Sequence, residues 1–233
     1  MEPARPELSV ILPAYREEEN LRVLLPRLKQ VLAGLDGGGE VLVVDTMTAM
    51  DLTPDVCAQE GVAYLNRAGG NSYGDAVRTG IARAAGRYIL FMDADGSHTP
   101  EFIPRLFARR DPRAVVVASR YAPGGHTENP RSLILMSLMV NLVYALVLGI
   151  RCRDVSNSFK LYPADLIKPL RLTCPNFDVV EELLFKAVRA EAGLDIVELP
   201  YVFKKRMFGQ TKRNLPLFML TYLWSLIRLR FGK

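Results

Sequence analysis

Asp93-Ala94-Asp95 follows directly on the run Arg87-Tyr-Ile-Leu-Phe-Met92, so two carboxylates one residue apart stand at the end of a stretch with the composition of a buried strand. Carboxylates in that position are costly unless a cation neutralises them. A hard divalent ion such as Mg2+ or Mn2+ takes one or two carboxylates and completes its shell with phosphate oxygens and water. The pair therefore suits a metal-bound diphosphate.

A pair of this kind needs a frame that brings strand ends together. Leu8-Ser-Val-Ile-Leu-Pro13 reads as a buried strand, and Glu17 to Leu35 carries Leu21, Leu24, Leu25 and Leu28 at helical spacing. Further strands are expected at Glu40–Asp45, Ala63–Asn66, Arg87–Met92 and Ala114–Ser119, with helices at Ser72–Ala85 and Pro100–Arg109 between them. Strands alternating with helices predict an α/β fold, a doubly wound, mostly parallel sheet with helices on both faces. Ligands of such sheets bind beyond the carboxyl ends of the strands, which is where Asp93 and Asp95 fall.

The composition, 49% apolar and 24% charged over 233 residues, is that of a folded domain and excludes disorder. Cys57, Cys152 and Cys174 are widely spaced and form no Cys-x-x-Cys pair, which speaks against a disulfide framework or a thiolate zinc site and for a reducing compartment. The acidic start from Met1 to Glu7 does not suit a secretory signal, so a cytoplasmic location is expected. The net charge of +5 is concentrated in the tail. Tyr201 to Lys233 holds eight basic residues and no acid, leaving 22 basic against 25 acidic residues elsewhere. Ser132 to Ile150 is nineteen residues without a charge, broken only by Ser137, Asn141 and Gly149, and Leu215 to Ile227 is a second apolar stretch running into Arg228-Leu-Arg230. Each is long enough to be a buried helix, an interfacial helix or, near the lower limit, a membrane span. An apolar, basic end fits a phospholipid surface better than nucleic acid, so the location expected is peripheral on the cytoplasmic face of a membrane, with a membrane partner subunit possible. The expected division is a domain over residues 1–213, including 132–150, and a basic amphipathic helix over 214–233.

In order along the chain stand Leu12-Pro-Ala-Tyr-Arg-Glu17, Val43-Val-Asp45, Asp93-Ala-Asp-Gly-Ser-His98, Ser119-Arg-Tyr121 and Arg206-Met-Phe-Gly-Gln-Thr-Lys212. Together they resemble the inverting family 2 glycosyltransferases with a GT-A fold, and most closely the polyprenyl-phosphate branch typified by dolichyl-phosphate mannose synthase. The likeness runs from about Leu8 to Arg213. The resemblance implies that Pro13, Tyr15 and Glu17 border the nucleoside, with Val44 and Asp45 beside the base or ribose. It implies that Asp93, Ala94 and Asp95 meet the diphosphate of a nucleoside-diphosphate sugar, the two aspartates holding Mg2+ or Mn2+. Asn66 to Gly80, with Gly69, Gly70 and Gly74, corresponds to a glycine-punctuated loop beside the nucleotide, though ordinary turn chemistry accounts for it as well.

The implied acceptor is a polyprenyl phosphate and the implied donor GDP-mannose, with a UDP-sugar second. A hydroxyl acceptor needs a general base within hydrogen-bond reach. A phosphate monoester has a second pKa of about 6 and is largely a dianion at neutral pH, so it needs steering more than deprotonation. Arg120, Arg131, Arg206 and Lys212 are the donors expected around it, and Arg120 and Arg206 join Asp93 and Asp95 as the catalytic set. Glu181 and Glu182 occupy the region where relatives with sugar acceptors place a catalytic acid pair, so an essential carboxylate there would favour a saccharide or other hydroxyl acceptor. His98 reads as a metal ligand, a donor to one, or a loop residue, and Asp154-Val-Ser-Asn-Ser-Phe159 as an acidic turn before a strand on the acceptor side. His126 has no identifiable partner. The sequence departs from the family at one point. Where relatives carry paired aspartates followed by Gly-Ser, this chain reads Asp45-Thr46-Met47. A hydroxyl cannot accept two donors as an anion does, so the nucleotide is left open, with Asp51 the candidate replacement. The same departure motivates a further alternative, a nucleotide-sugar-binding pseudoenzyme.

Overall fold

The computed structural model describes residues 5–209 and 215–231, without the side chains of 215–221. The chain opens with β1 (Leu8–Pro13), α1 (Glu18–Ala33), β2 (Gly39–Asp45), α2 (Thr53–Glu60), β3 (Ala63–Asn66), α3 (Tyr73–Arg83) and β4 (Tyr88–Phe91). A 3-10 turn at Pro100–Phe102 leads into the short α4 (Ile103–Phe107), then β5 (Ala114–Ser119), β6 (His126–Thr127) and the long α5 (Arg131–Leu148). β7 (Lys160–Pro163), α6 (Ala164–Ile167), α7 (Val179–Ala190), β8 (Asp195–Pro200), β9 (Val202–Phe203) and α8 (Leu215–Phe231) follow.

The expected mostly parallel sheet is present, with strand order β3-β2-β1-β4-β7-β5-β8. Only β7 runs against its neighbours, pairing antiparallel with β4 and β5. Alternate residues of β1 face opposite layers: Leu8, Val10 and Leu12 pack under α1, α2 and α4, whereas Ile11 joins the layer built by α3, α5, α7 and α8. Leu21, Leu24, Leu25, Leu28 and Leu32 line the buried side of α1 at the expected period. The sequence reading missed α2 and β8, and it expected one helix over 100–109 where the chain forms a 3-10 turn followed by a single-turn helix. Pro100 and Pro104 remove backbone donors from that stretch, which limits how far an α-helix extends.

α8 packs against the body. Tyr144 on α5 donates its hydroxyl proton to the Tyr222 carbonyl at 2.6 Å, Ser225 donates to Asp178 at the start of α7, and Arg228 reaches Cys174 Sγ at 3.0 Å.

The glycine-punctuated stretch has a steric explanation. Ser72 caps α3 through a reciprocal pair: its Oγ accepts from Asp75 N at 3.2 Å and its N–H donates to Asp75 Oδ2 at 3.0 Å. Gly74 lies in the first turn with its N–H on the Pro175 carbonyl at 2.7 Å, and a Cβ there would run into the Cys174 carbonyl oxygen and lie 2.9 Å from that of Pro175. Both obstacles are backbone, so relief requires α3 to move away from the loop before α7. Gly74→Ala is therefore expected to destabilise the protein by about 1–3 kcal/mol, read as a lower urea midpoint at unchanged slope. An unchanged midpoint would mean that the two segments separate freely.

Candidate active site

Strand register decides which residues meet. Pro13 lies beside Val44 and Ile11 beside Phe91, so β1, β2 and β4 end along one edge of the sheet. The chain order reverses between β1 and β4, since β2 and β3 extend one way and β4 the other. That crevice is the ligand-binding position of a doubly wound sheet, and Ala14–Glu17, Asp45–Asp51 and Asp93–His98 all emerge there.

Asp93 is held by distant donors. Ser158 Oγ donates to its Oδ1 at 2.9 Å, with the Tyr73 hydroxyl at 3.4 Å. Its backbone N–H donates to His98 Nδ1 at 2.9 Å. An accepting Nδ1 puts the ring proton on Nε2, which faces Asn157 Oδ1 at 3.1 Å. The ring is fully buried and stacked on Phe159 at 4.7 Å, and burial lowers its pKa against the opposing pull of Asp93 and Asp95. Both nitrogens of His98 are thus engaged by protein, and the ring clamps the turn after β4 to the turn before β7.

Asp95 is fixed by its own loop. Its Oδ1 accepts from the Ser97 N–H at 3.0 Å and hydroxyl at 2.6 Å, and its carbonyl accepts from Met207 N at 3.0 Å. Gly96, at φ +80°, lies against Met207, and a Cβ there would come within 2.5 Å of that side chain. The irregular segment from Lys204 to Phe208 therefore lies along the aspartate loop. Arg206 forms an ion pair with Glu17 and places Nε 3.6 Å from Asp95 Oδ2. Asn20 secures the arrangement by donating to Glu17 Oε2 at 2.6 Å and accepting from Phe208 N at 3.1 Å. Glu17 and Arg206, the latter beside Asp95, line an open cleft of about 220 Å³ also bordered by Arg16, Asp51 and Phe208.

The end of β2 is organised around Asp45, which is buried and accepts from the Tyr64 hydroxyl at 3.2 Å. Burial raises its pKa, with Asp51 adding to the effect and the Thr46 N–H, Tyr64 and Arg67 opposing it. Thr46 points its hydroxyl at the Thr48 carbonyl at 2.7 Å. Asp51, the candidate for the missing second carboxylate, is held by backbone donors. Its Oδ2 accepts from Glu18 N at 3.1 Å and its Oδ1 from Thr53 N at 3.0 Å, so it joins the starts of α1 and α2. Tyr15 is partly exposed at the mouth, followed by Arg16 at φ +54° where the chain bends into α1, while Pro13 and Val44 are buried.

The remaining candidates are dispersed. Arg120 is almost entirely engaged by Asp154, which accepts from its N, Nε and Nη2 at 2.7, 2.9 and 2.6 Å, and Nη2 also donates to Ser156 Oγ at 2.9 Å. Arg131 is exposed on the first turn of α5, and Lys212 lies outside the described residues. Glu182 accepts from the N–H groups of Thr173 and Cys174 and pairs with Lys186 at 2.8 Å; burial works against its charge, but these donors outweigh it and hold the pKa low. Glu181 is wholly buried, and burial pushes its pKa up to about 8 despite the charge of Lys160 and the Tyr222 hydroxyl. The contributions of Tyr73 and Asn20 were missed from sequence, and the Asp154–Phe159 turn was read as lying on the acceptor side without its partners Asp93, His98 and Arg120, because hydrogen bonds spanning tens of residues leave no local periodicity.

The Glu181 carboxyl has a consequence for stability. A folded-state value near 8 against 4.5 in the free side chain means that the fold favours the protonated form. Its contribution is present below about pH 4.5 and is lost as pH rises through 8. The wild-type melting temperature is expected to fall between pH 5 and pH 8.5 by several degrees more than that of Glu181→Gln. Parallel curves would show that Glu181 is already ionised in the folded protein.

A family model described as glycosyl transferase family 2 matches residues 9–171. The chain is 30% identical over 220 residues to an undecaprenyl-phosphate mannosyltransferase of Micrococcus luteus, covering 88% of this chain and 86% of that one. A dolichol-phosphate mannosyltransferase of Pyrococcus furiosus is 29% identical over 214 residues, covering 88% of this chain and 59% of the longer relative. A polyprenol monophosphomannose synthase of Mycolicibacterium smegmatis is 27% identical over 225 residues, at 88% and 80% coverage. Among solved structures, glucosyl-3-phosphoglycerate synthase from Mycobacterium tuberculosis, in complex with Mn2+, UDP and glucosyl-3-phosphoglycerate, superposes with a TM-score of 0.72 over 97% of this chain and 80% of that one, at 17% identity, which shows a shared fold. With the aspartate pair at the strand ends and relatives that are glycosyltransferases over nearly their whole match, the chain belongs to glycosyl transferase family 2.

Proposed function

We propose that this chain transfers a hexose from a nucleoside-diphosphate sugar, with GDP-mannose the first candidate and a UDP-sugar the second, to a polyprenyl phosphate, inverting the anomeric centre. The observation that supports this most is the state of Glu181 and Glu182. One is sealed in the core and the other is held by Thr173, Cys174 and Lys186, so neither is placed to take a proton from a hydroxyl acceptor. A phosphate acceptor removes the need for that proton transfer. The names of the relatives point the same way.

Asp93 and Asp95 keep 20% and 27% of their side-chain surface exposed, and among the described residues no cluster of three or more His, Cys, Asp or Glu side chains surrounds them. Two partly open carboxylates fit a Mg2+ or Mn2+ ion that shares its shell with a diphosphate and water. Such an ion, when bound, supplies positive charge against the charge developing on the departing nucleoside diphosphate. Ser158 and Ser97 hold the two carboxylates in fixed directions. Arg206, beside Asp95, is the cation best placed to receive the acceptor phosphate, and Arg120, Arg131 and Lys212 complete the proposed set. A phosphate oxygen then forms its bond to the anomeric carbon as the bond to the diphosphate oxygen breaks on the opposite face, which inverts the centre.

Radiolabelled GDP- and UDP-sugars incubated with the protein, Mg2+ or Mn2+ and a polyprenyl phosphate are expected to deliver label into the organic phase, and Asp95→Ala to lose it by at least about 100-fold. Label entering only water-soluble saccharide would favour a hydroxyl acceptor. Failure to bind any nucleotide sugar would favour the pseudoenzyme.

The lipid acceptor calls for a membrane face. α5 is 18 residues of mean hydropathy 1.9 and only 11% buried, long and apolar enough to cross a membrane. Its outward side chains Met139 and Leu146 are 59% and 73% exposed, and on α8, which packs beside it, Trp224 is 67% exposed and followed by Arg228 and Arg230. We place this paired apolar face in the interface of an anionic leaflet on the cytoplasmic side. Leu142→Glu combined with Trp224→Glu is expected to abolish most sedimentation with anionic liposomes while leaving the melting temperature near wild type. Unaltered sedimentation would remove the face from membrane contact.

A further inference from the structure

α5 carries one deeply buried polar side chain. Asn141 is 2% exposed within a helix whose other side is largely exposed and apolar. Its Nδ2 donates to the Ser137 carbonyl one turn back at 2.9 Å, and its Oδ1 accepts the backbone N–H of Ser156 at 2.8 Å. Ser156 Oγ accepts from Arg120 Nη2, and Asp154, two residues earlier and fully buried, takes the rest of that guanidinium edge. Glu198 on β8 grips the same turn from the other side, accepting from the N–H groups of Arg153 and Asp154 at 3.0 and 3.2 Å and from Ser119 Oγ at 2.8 Å. The 153–156 turn is thus held between α5 and β8, and it holds Arg120 at the end of β5.

A buried amide is costly unless its hydrogen bonds are made. Packing alone would be served at this position by leucine. An arginine side chain, in turn, has many rotamers, and its direction matters only if something must be met there. Here three donors of Arg120 are fixed by Asp154 and Ser156, which leaves Nη1 as the nitrogen outside these bonds, at the end of a strand on the active edge.

We propose that Asn141 is a positioning residue for the acceptor phosphate: from inside the apolar helix it fixes the 154–156 turn, and through that turn it sets the direction of the Arg120 guanidinium. This rests on the reading of Arg120 as a phosphate donor given above. Because α5 also carries the outward apolar face, the seat of the lipid and the direction of the arginine belong to one packed unit.

The test measures the Kd of a short-chain polyprenyl phosphate in detergent micelles by calorimetry, and the KM for it and for the sugar nucleotide, with the full-length protein and four variants. Asn141→Leu removes the acceptor for Ser156 N–H and is expected to weaken lipid-phosphate binding roughly 5-fold or more and to lower the melting temperature modestly, with the nucleotide KM close to wild type. Asn141→Asp, which keeps an oxygen facing Ser156 N–H, is expected to restore most of that loss. Ser156→Ala leaves Asn141 intact and deletes only the Oγ that receives Nη2, so it carries the test should Asn141→Leu fail to fold, with a loss of the same sign. Arg120→Gln sets the full size of the effect. If Arg120→Gln leaves lipid-phosphate binding unchanged, or wild type binds none, the acceptor reading itself is wrong. If Arg120→Gln weakens binding and neither Asn141→Leu nor Ser156→Ala does, the reading stands and the positioning role is refuted. A uniform loss in both KM values and in melting temperature for Asn141→Leu, without rescue by Asn141→Asp, would likewise overturn it by showing a purely structural part.

Discussion

Asp93 carries a negative charge at the mouth of a buried strand, and the organisation of the active edge answers that charge. Ser158 and Tyr73 approach its carboxylate, and its own N–H is taken by a neutral histidine sealed from water. Each of these contacts comes from a different part of the chain. In a low-dielectric setting, hydrogen bonds of this kind keep a carboxylate oriented. Asp95, two residues further on, takes its support from Ser97 and shares the positive charge of Arg206 with Glu17.

The antiparallel strand makes this convergence possible. β4 and β5 end at the active edge, and because β7 lies between them in the opposite direction, it begins there, with Lys160 beside Phe91. The segment just before β7 is thereby delivered to the same edge. It supplies Ser158 to Asp93, Asn157 to His98 and Asp154 to Arg120. Lys160, fully buried, closes the turn by donating to the carbonyls of Val155 and Asn157, and burial lowers its pKa. An all-parallel sheet would have sent the segment before β7 to the far side, away from the chemistry.

The two apolar helices follow a similar economy of polar groups. Three of their described polar side chains point inward: Asn141 to Ser156, Tyr144 to the Tyr222 carbonyl, and Ser225 to Asp178. Leu135, Met139, Leu142 and Leu146 of α5 and Leu223 and Ile227 of α8 point outward instead, side chains that do not need water. The cationic end of α8 suits the proposed contact with an anionic leaflet. One pair of helices thus joins an outward apolar surface to an inward polar grip on the site.

What could be read from the residues alone is the part governed by local covalent geometry. Periodicities of 2 and 3.6 identify β1, β2, β4, β5, α1 and α3, and placement after a strand identifies Asp93 and Asp95, because side-chain direction repeats with the backbone over a few residues. The order of motifs was enough to suggest the family. Beyond that reach lay β8, the direction of β7 and the partners of the site. Thr46 and Asp51 illustrate the limit: the sequence offers Asp51 as a substitute carboxylate, and only the fold shows it holding the first turns of two helices. Arg206 and Glu17 stand 189 residues apart, yet form one ion pair. Such meetings depend on strand order and register, which are chosen by the packing of two whole layers and not by any segment on its own.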